Sequence, residues 1–329
     1  MTRPLDIVLL LALPASGKSE VRKYLASVPA VRALEDFRLG PTLQLDDYPY
    51  VHMMRRISEV LRQAGHSGVF FDSPDQSMRE PLDWGTLIEL VNDDFADLSS
   101  APSKPESCGA WMLDRFDAAR ARLGIRPELE GLPSRLRSGL VAAIDAEART
   151  LWEDMRAQIP PHPRDLDDKT VVIEFARGGP QGASMPLPEP LGYEYSLAQL
   201  SDDILARAAI LYIWVTPEES RRKNRDRARP GRAGDASILH HGVPETVMLQ
   251  DYGCDDMESL IARAARPDTV RIEARGRHFD LPVARFDNRI DKTSFIREDS
   301  AHWAAPDVAA VHAALQEAFE RLARASAAR

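Results

Sequence analysis

The stretch of this chain with the most chemistry in it is Ala12-Leu13-Pro14-Ala15-Ser16-Gly17-Lys18-Ser19. Its spacing follows Gly-x-x-x-x-Gly-Lys-Ser/Thr, with alanine in place of the first glycine. Small residues let the main chain curl so that successive amides converge on an anion. A helix opening at the same point adds positive potential. Lys18 is then expected to reach the β- and γ-phosphates of a nucleoside triphosphate, and Ser19 to ligate Mg²⁺. Pro14, Ala15, Ser16, Gly17 and Glu20 complete the expected contact set. Alanine serves at position 12 as long as its φ stays negative. The competing reading is an ordinary strand-to-helix turn. The apolar strand ending at Leu13 and the helix opening near Lys18 favour the phosphate-gripping loop.

Mg²⁺ needs a further hard oxygen ligand, expected at the end of a strand beside the loop. Two acids compete. Glu174 closes the apolar run Val171-Val172-Ile173, and Asp72 closes Val69-Phe70-Phe71. Glu174 is preferred, because its run has the stronger strand character. For either acid the alternative is a solvated strand end. Leu45-Asp46-Asp47-Tyr48 sits about one helix and one strand after the loop. It places acids where ligands approach a parallel sheet, outside the carboxyl ends of strands, although Asp-Asp-Tyr-Pro is also good turn chemistry. Arg221, Arg225 and Arg229 recur every four residues, so one helical face carries three guanidiniums. A solvated basic helix or a nucleic-acid patch would read the same way, but no aromatic residues interleave the arginines.

Leu-Pro-Ala-Ser-Gly-Lys-Ser resembles the loop of small P-loop kinases. Asp46-Asp47-Tyr48 resembles the Asp-Asp-Phe/Tyr segment of the uridine kinase and phosphoribulokinase group. That likeness implies that Asp46 is the general base or orients the acceptor hydroxyl. Val215-Thr216-Pro217 followed by the arginines resembles the strand-then-lid segment of nucleoside monophosphate kinases. Arg221, Arg225 and Arg229 would there offset charge on the transferring phosphoryl. The segment Leu281 to Asp287-Asn288 resembles the final strand of such kinases, after which residues approach the nucleotide base. The Asn-Lys-x-Asp signature of guanine-specific GTPases is absent from the sequence.

Elements must hold these residues in place. Residues 5–13, 42–46, 170–175, 210–215, 270–273 and 281–286 read as strands, and 69–72 as a short one. Helices are expected at 18–27, 51–63, 197–209, 217 onward, 244–264 and 306–326, with Gly/Pro-rich 178–192 as a loop that could cover the site. Between about 74 and 168 the helical periodicity is unbroken by strands and reads as a helical insertion. Within it Asp83-Trp84-Gly85-Thr86 and Asn92-Asp93-Asp94 could bind an acceptor, but their acids read rather as the wet face of an amphipathic helix. Arg3 with the apolar run 7–13 could pass for a leader peptide. A continuously apolar buried strand explains the run better, because Gly17-Lys18-Ser19 and a helical pattern come directly after it. His240-His241 reads as a loop or structural pair. Asp251 to Asp256 lacks the spacing of a calcium loop.

The expected fold is a three-layer α/β P-loop kinase domain over 1–329, with a mainly parallel sheet and the helical insertion at 74–168. The expected activity is ATP-dependent, Mg²⁺-assisted phosphoryl transfer to a small-molecule substrate. The other reading is a nucleotide-switched regulatory NTPase whose insertion binds a protein. At 44% hydrophobic and 28% charged residues the 329-residue chain affords a large core. Its net charge of −9 argues against general nucleic-acid binding. Two cysteines without metal spacing suit a cytoplasmic location, and no run approaches a membrane span. The acceptor and the oligomeric state are not legible.

Overall fold

The computed structural model describes residues 3–162, 166–227 and 242–328. Six strands form one sheet: β1 (Ile7–Leu11), β2 (Thr42–Asp46), β3 (Thr170–Phe175), β4 (Ala208–Trp214), β5 (Thr269–Ala274) and β6 (Arg277–Asp287). Their order is β2-β3-β1-β4-β6-β5. All neighbours are parallel except the β5–β6 hairpin at one edge. β1 sits at the middle, and all five of its residues are buried, as both-faced burial of a parallel strand requires.

Alternation along β1 assigns its side chains to the two faces. Ile7, Leu9 and Leu11 join one core, packed by α4 (Asp83–Ser100), α7 (Gly192–Gln199), α8 (Asp202–Arg207) and α11 (Met257–Arg263). Val8 and Leu10 join the opposite core, packed by α1 (Lys18–Ser27), α2 (Ala30–Phe37) and α12 (Ala305–Ala327). Helices thus cover both faces of the sheet. β1 leads into α1 on one face and β3 leads into α7 and α8 on the other. These neighbouring strands send their connections opposite ways, which opens a crevice at their carboxyl ends.

The segment between β2 and β3 is helical, as the sequence predicts. α3 (Tyr48–Gln63), α4, α5 (Cys108–Arg122) and α6 (Ser134–Gln158) share a third apolar core. Inside it Arg120 lies 3.0 Å from Asp83, both of them buried. Asp83 and Asp94 are therefore not on a wet face. Asp94 accepts from the Tyr50 hydroxyl at 2.7 Å and pairs with Arg115 at 2.5 Å. Arginines along the next helix supply the counter-charge that permits this burial.

Several boundaries differ from the sequence expectation for identifiable reasons. α3 opens at Tyr48 because Pro49 suits a first helical turn. Residues 69–72 form no strand: the Phe70 and Phe71 amides donate instead to the Ser58 hydroxyl, at 3.0 and 3.1 Å. The helix expected at 197–209 is two, parted where the Ser201 hydroxyl caps the Ile204 amide at 3.3 Å. The helix expected at 244–264 is also two, α10 (Glu245–Gln250) and α11, with the acidic turn 251–256 between them. α2 has no counterpart in the sequence expectation. No helix among the described residues is long and apolar enough to cross a membrane.

Candidate functional site

The loop after β1 turns sharply. Ala15 takes φ 56° and Gly17 φ 106°, while Ala12 is outside the positive-φ set, so alanine stands there without backbone strain. A Cβ on Gly17 would meet Thr293 Oγ1 at 2.7 Å and Asn288 Nδ2 at 2.9 Å, so glycine is demanded by both conformation and space. Outer contacts fix the loop's shape. Asn288, just past β6, donates to the Ser16 carbonyl at 2.8 Å. Ser220 of α9 (Pro217–Arg227) donates to the Pro14 carbonyl at 2.7 Å. Among the described residues no protein acceptor takes the Ala15 or Gly17 amide, which leaves both as donors for an anion at the mouth of α1.

Lys18 bends back over the loop. Its Nζ reaches the Ala12 and Phe175 carbonyls at 3.3 and 3.4 Å and stands 4.0 Å from Glu174 Oε1. Parallel register sets Asp46 of β2 directly beside Glu174 of β3. Arg22, one turn along α1 from Lys18, spans the two acids, at 2.7 Å from Glu174 and 3.6 Å from Asp46. Asp47 belongs to a different pair: Arg177 holds it at 2.6 Å in a buried contact, and also donates to Ser196 and to the Trp84 carbonyl. Three acids thus meet three cations on the carboxyl edge of β1, β2 and β3.

The charges are crowded and dry. Burial, then the neighbouring Glu174 and Asp47, push the Asp46 carboxyl up to about 8. The Tyr48 amide, which donates to it at 2.8 Å, and Arg22 pull the other way. Burial also raises Asp47, against the pull of Arg177. Asp46 nevertheless keeps 22% of its side-chain surface open, so it faces the cleft rather than the core.

That cleft has a volume of about 840 Å³. Pro14, Ala15, Ser16, Lys18 and Ser19 line one end, and Asp46 and Glu174 its floor. The far wall comes from α3, the 71–84 segment and residues 242–252. Of the expected site residues, the loop, Lys18, Ser19, Asp46 and Glu174 come together. Others do not. Glu20 turns to the other face of α1 and pairs with Arg297 at 2.6 Å. Arg221 is taken by Glu218 at 3.2 Å and Arg225 by Glu245 at 3.2 Å, and neither lines the cleft. Acids one turn away or on the next helix are nearer partners than the cleft. Arg229, His240 and His241 lie outside the described residues. Asp72 is exposed on the 64–82 loop, so β3 rather than that segment supplies the acid beside the loop.

Sequence reading missed Arg22 and Arg177. Arg22 carried a signal, since it stands four residues after Lys18 and shares its helix face. Arg177 carried none, because its partner Asp47 is 130 residues away.

Among the described residues no three His, Cys, Asp or Glu side chains form a ready-made metal cage. The Ser19 hydroxyl and Glu174 carboxylate, both on the cleft wall, are nonetheless the hard oxygen donors Mg²⁺ takes alongside phosphate and water. Comparison of the chain with known protein families, with curated proteins and with solved structures finds no match.

Proposed function

We propose that this protein is a P-loop phosphotransferase, moving the γ-phosphoryl group of ATP to a hydroxyl of a small molecule held in the cleft. One observation carries the reading. The strand–loop–helix bearing Lys18 opens into the same cleft as two carboxylates, Asp46 and Glu174, on adjacent strand ends.

In this reading the loop amides and the α1 N-terminus hold the phosphate oxygens. Lys18 exchanges its two carbonyl partners for the β- and γ-phosphates. Ser19 and Glu174 hold Mg²⁺, which when bound neutralises charge on the phosphates. Asp46 accepts a hydrogen bond from the acceptor hydroxyl and takes its proton as the oxygen attacks phosphorus. Burial and the neighbouring acids raise the Asp46 carboxyl, which makes its ionised form a stronger base for that proton. Arg22, within the cleft, supplies the positive charge that the sequence assigned to Arg221, Arg225 and Arg229. Most of the catalytic effect is then positioning and charge stabilisation. A chamber extending well past the loop favours an acceptor-binding enzyme over a pure nucleotide switch, which needs no second compartment.

The test is ATP binding and ADP release against a library of small alcohols, with Lys18→Ala beside the wild type. Losing a charge-assisted phosphate contact of about 1.5–3 kcal/mol is expected to weaken ATP binding about ten- to a hundredfold. Unchanged ATP affinity in the variant overturns the proposal.

A further inference from the structure

Beyond the reacting groups the cleft continues along one face of α3. Tyr48, Val51, His52 and Arg55 fall at helical spacing and all line it. Most charges on the walls are already paired: His52 Nε2 is 3.0 Å from Glu147, which also takes Arg56. Arg55 is different. Its guanidinium lies over the Phe71 ring, 4.1 Å from the centroid, and gives one hydrogen bond, to the Pro74 carbonyl at 2.6 Å. Among the described residues no carboxylate is within ion-pair distance of it. Asp251, on the same wall, is buried and stays beyond that distance.

Around this cation the surface is apolar and aromatic. Met53, Met78, Trp84, Val247 and Tyr252 line the cleft there, with Trp84 and Tyr252 edge to face at 5.8 Å. A guanidinium stacked on a ring keeps its planar edge free, and that edge matches a carboxylate or phosphate in two parallel hydrogen bonds. Arg55 lies seven residues beyond Tyr48, about two turns further along α3.

We propose that Arg55 is the anion-binding residue of the acceptor subsite. The acceptor is a hydroxyl compound with an apolar or aromatic middle and a carboxylate or phosphate at the end away from the hydroxyl. The assignment of an acceptor to this end rests on the phosphotransferase reading; the anion subsite itself does not.

The experiment uses the full chain and matched probes: 4-(hydroxymethyl)phenylacetate, its methyl ester, and 4-(hydroxymethyl)benzyl phosphate. Binding is measured by calorimetry with and without a saturating non-hydrolysable ATP analogue and Mg²⁺, so that the loop at 12–19 does not compete for the anions. The acid or the phosphate is expected to bind at least about tenfold more tightly than the ester, a margin typical of a charge-assisted pair. The acid and phosphate arms tell which anion is preferred. Arg55→Met is expected to erase the difference and Arg55→Lys to restore part of it, with ATP affinity unchanged in both. Equal binding of acid, phosphate and ester overturns the proposal. So does an anion preference that survives in Arg55→Met, or the absence of binding by either anionic probe. Failure of the phosphotransferase reading is distinguishable: the Arg55-dependent preference persists while no phosphoryl transfer from ATP is detected and Lys18→Ala changes nothing.

Discussion

Asp46 shows what one side chain's surroundings can dictate. It is a carboxyl between two other carboxyls, Glu174 and Asp47, offset by the Tyr48 amide at 2.8 Å and by Arg22 at 3.6 Å. Its proton affinity rises to about 8, so at neutral pH most molecules carry it protonated. If Asp46 is the base, the rate of phosphoryl transfer rises with pH through the limb of its ionisation, because only the ionised form accepts the hydroxyl proton. Asp46→Asn is expected to lose about 10²–10⁴-fold in kcat and to lose that limb. The same shift has a consequence for stability. The folded chain keeps a proton that the unfolded chain releases near the ordinary carboxyl value, so stability falls as pH rises from there to about 8. Asp46→Asn flattens that fall. Urea titrations across pH 5 to 9 read the second effect and initial rates the first. A wild-type rate profile without a rising limb, or one matched by the asparagine variant, removes Asp46 from the chemistry.

At the scale of elements, the loop at 12–19 is held from outside as much as from within. The buried Asn288 ties the segment after β6 to the Ser16 carbonyl and to Thr293, at 2.8 and 3.0 Å. Asn288→Ala leaves the Ser16 carbonyl buried without its donor, a cost of about 1–3 kcal/mol. The expected signature is a raised KM for ATP with the acceptor KM unchanged, alongside a lowered unfolding midpoint. A shift in both KM values alike would mean general loosening instead. This dependence explains what the sequence could and could not reveal. β1, β2 and β3 were legible because a continuously apolar run, or one with an acid at its end as in β2 and β3, is a local signal. The loop was legible because its Gly-Lys-Ser spacing is local too. The support of Asn288 for Ser16 spans 272 positions, and only a likeness in the final strand hinted at it. α9 misled for a related reason. Its arginines do share a spacing, but Glu218 and Glu245 hold Arg221 and Arg225, and periodicity says nothing about which partner a guanidinium finds first. The supposed strand at 69–72 yielded to one hydroxyl, Ser58, that took its amides.

The whole molecule couples the site to the helical layer. Trp84, in the first turn of α4, lines the cleft and lends its carbonyl to Arg177, the residue that pins Asp47 beside Asp46. Next to it, Asp83 is fully buried, and one carboxylate oxygen, Oδ2, has no hydrogen-bond partner. Burial lifts Asp83 to about 6 even with Arg120 against it. Removing Arg120 while keeping its bulk, as Arg120→Met does, strands that carboxyl in an apolar core. Breaking a buried pair from one side costs about 3–5 kcal/mol. The cost must depend on pH, because the stranded acid escapes it by protonating. Without Arg120 the folded-state pKa climbs above 6, so the variant keeps losing stability with rising pH after the wild type has stopped. The gap between the two proteins is therefore expected to be wide at pH 8 and narrower at pH 5. Denaturant unfolding at both pH values measures it, and Asp83→Asn combined with Arg120→Met is expected to recover part of the loss at pH 8. A gap that stays constant with pH would show that Arg120 contributes packing to the layer and not counter-charge.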